Sequence, residues 1–218
     1  LGMVPDSLHY QSRHTDRYEA ALARLNALDL LFHCTCTRST LGAGGVCVRD
    51  CHQNPPATGV PASLRARVPE GTVVIFEDLI YGPQRVPLAE QQANFIVRRK
   101  DRLWAYQLAA ACDDGEGTIS HVIRGSDLLE STPRQIFLQQ CLGLKTPSYG
   151  HLPLVYGPDG HKLSKQTGAS AVDDLAPVTT LLAAAQVLGL EPPPETHRGP
   201  SQILAWCTQH WEYRRVPR

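Results

Sequence analysis

Lys162 and Lys165 bracket Leu163 and Ser164 in the run His161-Lys162-Leu163-Ser164-Lys165-Gln166, directly after Gly157-Pro158-Asp159-Gly160. Two ammonium groups at i and i+3 on a mobile loop can reach one polyanion, and Ser164 adds a hydroxyl donor. Gly-Pro-Asp-Gly is a turn sequence and no helix former, so the loop is expected. Point charges on flexible stems suit a triphosphate whose charge moves during reaction. The same six residues also read as an ordinary solvated turn.

A second cluster is made of sulfur. Of seven cysteines, four lie within eighteen positions: Cys34, Cys36, Cys47 and Cys51. Gly42, Gly44 and Gly45 between them allow a tight return. Four thiolates gathered by such a loop fit tetrahedral Zn2+, with Zn–S distances of about 2.3 Å, and leave no ligand position open. Such an ion is structural, and a binding free energy of about 10–16 kcal/mol orders a loop with little apolar content. His33 and His52 adjoin the cluster as competing ligands, and two redox-labile cysteine pairs are the alternative reading. Cys112, Cys141 and Cys207 sit among apolar residues as small hydrophobes. An odd, uneven cysteine set is no secreted disulfide framework and favours a cytoplasmic location.

Other chemistry is thinner. Arg98-Arg99-Lys100 reads as a phosphate contact or as a solvated strand end. Asp113-Asp114 reads as a metal pair or as a turn and cap. Arg124 ends an apolar run just before Gly125, at the mouth of a sheet where such folds bind ligands. Its fork suits a carboxylate bidentately, or a salt bridge to a neighbour such as Asp127.

The elements that must position these groups follow from periodicity. Asp16 and Glu19 read as a capping box opening a helix over 16–31, with Tyr18, Leu22, Leu25 and Leu28 on one face. Residues 54–70 read as a Pro-rich loop. Strands are expected at 73–76, 95–97, 121–124 and 151–155. Helices are expected at 104–112, from Thr132 as cap to Gly143, and at 177–190 and 200–211. Strands alternating with helices imply an α/β fold with a parallel sheet. The 218 residues, 42% hydrophobic and 19% charged, suit one large or two small domains. A formal net charge of zero excludes a global basic field, so any nucleic-acid partner must be met by local clusters. No apolar run is long enough to span a bilayer, no signal-peptide pattern occurs, and no membrane partner is expected.

The motifs taken in order resemble a family. Trp104-Ala105-Tyr106-Gln107-Leu108 with Asp113-Asp114, Val122-Ile123-Arg124-Gly125-Ser126-Asp127, Thr132-Pro133-Arg134-Gln135, His151-Leu152-Pro153-Leu154 and Lys162-Leu163-Ser164-Lys165-Gln166 resemble the glutamyl-tRNA synthetase group of class I aminoacyl-tRNA synthetases. The closer likeness is to its short branch, which activates glutamate with ATP and transfers it to queuosine in the anticodon of tRNA(Asp). The resemblance implies a class I Rossmann-like parallel sheet, partial because its first strands are missing, with an inserted zinc-binding subdomain and C-terminal helices. It divides the chain into a remnant of the first catalytic half (1–31), the zinc-binding insertion (32–92), the second catalytic half (93–175) and a helical segment (176–218). It implies that Lys162 and Lys165 act in catalysis, that Lys165 and Ser164 contact ATP, which carries Mg2+, and that Tyr106 and Arg124 bind glutamate. Cys34, Cys36 and Cys51 match the family's zinc site. Many members have Tyr where this chain has Cys47, which makes the fourth ligand a thiolate here.

The family's N-terminal nucleotide motif has no counterpart before Tyr10, and the chain opens on Leu1-Gly2 with its lone Met at position 3. The resemblance therefore implies an enzyme shortened at its N-terminus and lacking part of its ATP clamp. A truncated glutamyl-tRNA synthetase and a non-catalytic, zinc-containing tRNA-binding remnant are the alternatives.

Overall fold

The computed structural model describes residues 1–218 except 43–44, 93, 158, 165–167, 170, 173–174 and 195–198, and leaves aside the side chains of Arg38 and Gln92. Among the described residues, seven strands form two sheets. An antiparallel sheet runs β1 (Leu31–Cys34), β2 (Ser63–Arg67), β5 (Asn94–Arg98). The other joins β3 (Val74–Asp78), β4 (Gly82–Val86), β6 (His121–Gly125) and β7 (Ser148–Leu152) in the order β4-β3-β7-β6. In it β7 lies parallel to both β3 and β6, and β4 returns antiparallel along β3. The expected parallel sheet is present, with an antiparallel edge strand. The span 32–92 contributes β1 and β2 to one sheet and β3 and β4 to the other, while β5 beyond it completes the first.

Helix α1 (Thr15–Ala27) repeats apolar residues at i, i+3, i+4 and i+7, and Tyr18, Ala21, Leu22 and Leu25 are buried. It ends earlier than the periodicity suggests. Asp29 takes a left-handed φ of 55° and turns the chain into β1, so Leu28 caps the helix and is exposed. The Asp16–Glu19 capping box is absent: His14 is the N-cap and makes no side-chain cap bond. Residues 63–67, expected as loop, are β2 instead. Its Ser-Leu-Arg-Ala-Arg sequence hides the strand, because the buried inward position is Arg65. That guanidinium is satisfied by Asn94 Oδ1 at 3.0 Å, the Asn94 carbonyl at 3.1 Å and the Gly45 carbonyl.

Helices α3 (Tyr106–Asp114) and α4 (Thr132–Leu142) pack on each other and on α1, with α3 against β5 of the smaller sheet and α4 against β3 of the larger. Leu25, Leu108, Ile136, Leu138 and Tyr149 fill that core almost without solvent contact. Truncating any of these leucines to alanine costs about 2–5 kcal/mol. Gly143 closes α4 at φ 68°, a left-handed C-cap that glycine adopts without strain. A short α2 (Leu88–Gln92) precedes β5, and α5 (Pro177–Val187) and α6 (Pro200–His210) pair with each other. No described helix is long and apolar enough to cross a membrane.

Candidate functional site

Parallel pairing of β6 with β7 puts Arg124 in register with His151. The two side chains meet: Arg124 Nε donates to His151 Nε2 at 3.1 Å. The other ring nitrogen, Nδ1, lies 2.6 Å from Asp78 Oδ2 at the end of β3, and both side chains are fully buried. Asp78 Oδ1 also accepts the amides of Ile80 and Tyr81 at 3.0 and 2.9 Å. Burial alone would raise the Asp78 carboxyl, but the Tyr81 amide, the His151 ring and the Ile80 amide hold it below its ordinary value. Burial holds His151 below its ordinary value in spite of that carboxylate. The pair is therefore an ionised Asp78 and a neutral His151, with the proton on Nδ1 and the lone pair on Nε2 facing Arg124.

From the α4 side, Thr132 Oγ1 and Gln135 Oε1 each accept Arg124 Nη2 at 2.8 Å. Arg124 also lies 5.3 Å over the Tyr149 ring. Its remaining nitrogen, Nη1, donates to Tyr106 Oη at 3.2 Å. Tyr106 is 47% exposed, so the guanidinium is gripped from behind and presents one edge, with a phenol beside it, to solvent. A guanidinium edge with an adjacent hydroxyl can pair with a carboxylate. The residues expected to take glutamate, Tyr106 and Arg124, are thus brought together.

Sequence reasoning missed the supports. Thr132 and Gln135 read as a helix cap, yet the N-cap is Ser131, and neither makes a cap bond. Their spacing of three residues instead aims both at Arg124. Gln135 Nε2 is held in turn by Gln107 Oε1 at 3.1 Å. Asp78 and His151 carried one legible signal, polar residues inside apolar strand sequence. The Arg124–Asp127 salt bridge is not formed, because Asp127 Oδ2 takes Lys162 Nζ at 2.6 Å. That hydrogen bond from Lys162 holds the Asp127 carboxyl below its ordinary value. Lys162 is further fixed by a bridge to Tyr156. Lys165 lies outside the described residues. Ser164 is half-buried.

The aspartates closing α3 are clasps. Asp113 accepts Tyr18 Oη at 2.8 Å and Arg17 Nη1 at 3.1 Å, tying α1 to α3. Burial raises the Asp114 carboxyl against the pull of Arg124. Among the described residues, metal-holding geometry lies at the cysteines and not at this pair.

Cys34 ends β1, and Cys36, Cys47 and Cys51 surround it, all four Sγ atoms within 4.8 Å of one another. Cys34–Cys47, Cys36–Cys47 and Cys36–Cys51 are 3.7, 3.7 and 3.8 Å apart. A tetrahedral ion with metal–sulfur distances of about 2.3 Å needs sulfurs about 3.8 Å apart. Against the effect of burial, the hydrogen bonds from Cys51 and its neighbours lower the Cys47 thiol to about 7, a ready thiolate. The donor set fits a thiolate-bound ion. Neither flanking histidine joins it: His33 is exposed and His52 packs edge-on against Phe32 at 5.8 Å.

Residues 47–179 match the family model for tRNA synthetases class I (E and Q), catalytic domain. The chain is 46% identical over 197 residues to a glutamyl-Q tRNA(Asp) synthetase of Burkholderia mallei, covering 83% of this chain and 65% of that protein. It is 42% identical over 220 residues to the Neisseria gonorrhoeae protein of the same name, covering 96% of this chain and 74% of the relative. Among solved structures, a glutamate tRNA ligase from Elizabethkingia meningosepticum superposes with a TM-score of 0.60 at 23% identity, over 77% of this chain and 40% of that one. That likeness speaks to the fold.

Proposed function

The chain belongs to the class I tRNA synthetases (E and Q) catalytic-domain family, and from that membership we propose that it works in ATP-dependent activation of glutamate and its transfer to queuosine in tRNA(Asp). The observation that carries the amino-acid part is the Arg124–Tyr106 edge, 3.2 Å across and braced by His151, Thr132 and Gln135. The name shared by the Burkholderia and Neisseria relatives supports queuosine-bearing tRNA(Asp) as acceptor.

In this reading Arg124 and Tyr106 hold one carboxylate of glutamate while the other attacks the α-phosphorus of ATP. The P–O bond to pyrophosphate breaks and a glutamyl adenylate forms. Lys162, Lys165 and Ser164 stabilise the charge gathering on the leaving pyrophosphate. Magnesium accompanies the triphosphate as part of the substrate. An acceptor hydroxyl on the tRNA then takes the glutamyl group and AMP leaves. Cys34, Cys36, Cys47 and Cys51 would hold a Zn2+ ion, which cross-links β1 to the loop before β2 and takes no part in the reaction. The cytoplasm, where charged substrates and reduced thiols coexist, is the matching compartment.

Two assays on the full-length protein test the proposal. Glutamate-dependent ATP–pyrophosphate exchange should proceed without tRNA, and labelled glutamate should then appear on tRNA(Asp) containing queuosine and not on the same tRNA containing guanosine there. Exchange with no transfer to either tRNA would refute the acceptor. Transfer to the 3′ end of tRNA(Glu) would assign the chain to the larger synthetase instead.

A further inference from the structure

The functional reading leaves one motif unused, the charged run Arg98-Arg99-Lys100-Asp101-Arg102. It is not a frayed strand end. Arg98 pairs with Trp104 across a narrow bridge, Arg99 N donates to the Leu103 carbonyl at 2.8 Å, and Arg102 N donates to the Arg99 carbonyl at 2.9 Å. Residues 100–102 are thus a three-residue hairpin loop whose last position is left-handed, with Arg102 at φ 66°. Glycine is the residue that this loop geometry favours there, because an L side chain is strained in it. This chain carries an arginine where the backbone asks for none.

Two of the cations have internal duties. Arg98 Nη1 lies 3.1 Å from Glu19 and its guanidinium stacks 4.5 Å over Trp104. Arg99 is held by both oxygens of Asp101 at 3.1 and 2.7 Å. Lys100 and Arg102 are exposed and have no ion-pair partner among the described residues. The loop lines two open hollows. One, of about 670 Å³, is lined by Arg98, Arg99, Lys100 and Arg102 with His33. The other, of about 480 Å³, is lined by Arg99 and Lys100 with Cys34, Cys36 and Thr37 beside the cysteine cluster. In a chain with no net charge, this is a local concentration of positive potential.

We propose that the 100–102 hairpin loop is an RNA-docking element, with Lys100 and Arg102 contacting backbone phosphates of the tRNA and Arg99 held ready beside them by Asp101. The proposal rests on the tRNA reading above and adds the place of contact. The loop is well sited for it. Arg102 is four residues from Tyr106, hence at most about 14 Å away along the chain, so RNA seated on this loop borders the proposed glutamate site. Exposed lysine and arginine on a hairpin loop follow a phosphate backbone without reading bases.

The test is tRNA(Asp) binding by the full-length protein, followed by fluorescence anisotropy across a salt series. The variants are Lys100→Gln, Arg102→Gly, their combination, and Arg85→Gln on β4 as a distant control. Each lost phosphate contact lowers the slope of log affinity against log salt by about 0.7–0.9. The double variant should therefore lose about 1.4–1.8 in slope, and each single variant about half of that, while Arg85→Gln changes nothing. Arg102→Gly should melt at the same temperature as the parent or higher, since glycine relieves the left-handed position. Unchanged slope and affinity in the double variant overturn the docking element, while tRNA binding by the parent keeps the acceptor reading intact. An equal loss in Arg85→Gln overturns the location. A lower melting temperature for Arg102→Gly, with Lys100→Gln binding like the parent, assigns the arginine to the fold and overturns the proposal as well. A parent chain that binds no tRNA at any salt removes both readings together.

Discussion

His151 Nδ1 lies 2.6 Å from Asp78 Oδ2, and neither side chain touches solvent. This contact decides the electrostatics of the site. Asp78 fixes the ring so that Nε2 faces Arg124 as an acceptor, 3.1 Å from Nε. A protonated His151 would put a second cation against the guanidinium in a dry environment, which burial and Arg124 both oppose. Asp78, on β3, therefore acts on the exposed edge of an arginine on β6 through a single imidazole.

The contact predicts an acid-sensitive fold. The folded His151 titrates below its ordinary value of 6.5, so as pH falls below about 6.5 the unfolded chain binds the proton first and stability drops. Asp78 adds stability that is fully present above the ordinary carboxylate value of 3.8 and is lost as pH falls further, through its depressed folded value. Denaturant midpoints measured from pH 7.5 to 4.5 should decline, and His151→Asn should show a shallower decline between pH 6.5 and 5. Identical slopes for parent and variant would show that His151 takes up its proton equally in the folded and unfolded chain, and a steeper decline in the variant would show that it is charged in the fold.

Arg124→Lys keeps the charge and removes the fork. Lysine cannot serve Tyr106, Thr132, Gln135 and His151 together, and two or three charge-assisted bonds of about 1.5–3 kcal/mol each are broken or misdirected. KM for glutamate in pyrophosphate exchange should rise by about 10- to 100-fold, with KM for ATP little changed. A parallel rise in both constants would place Arg124 outside the amino-acid site.

The residues proposed to bind glutamate stood out in the sequence more than their supports did, for a physical reason. Arg124 at a strand end and Tyr106 at a helix start carry chemistry that residue type alone announces. Thr132 and Gln135 are ordinary helix-start residues until β6 brings a guanidinium to within 2.8 Å of each. The strand β2 was hidden because its inward residue is Arg65, whose burial depends on Asn94 twenty-nine positions away. Local pattern describes an element's own preference, and these residues answer to partners distant in the chain. The C-terminal helices and Tyr18, Leu22 and Leu25 on α1 were legible because apolar periodicity alone sets them.

The cysteine geometry predicts one tightly held metal ion. Elemental analysis of protein purified without added metal should give about one zinc per chain. Cys34→Ser or Cys36→Ser should lower that content and the melting temperature together, because the loop between β1 and β2 has few apolar contacts beyond Phe32 to replace the ion. Metal-free protein with the parent's melting temperature would leave the four thiols as a packing cluster.

Lys162 and Asp127 are 41% and 43% exposed, so their 2.6 Å pair is a weak latch, worth about 1 kcal/mol or less. The role proposed for Lys162 requires it to leave for a phosphate group, and a weak latch suits that. Asp127→Asn should therefore alter the melting temperature by no more than a degree or two and leave the exchange rate near that of the parent. Lys162→Ala and Lys165→Ala should each slow adenylate formation by about 10- to 1000-fold, the range for removal of one group that stabilises developing charge, with zinc content unchanged. The discriminating pair is Lys162→Ala against Asp127→Asn in single-turnover adenylate formation. Equal slowing in the two would make the salt bridge itself the functional feature, and slowing in Lys162→Ala alone identifies the ammonium as a phosphate ligand.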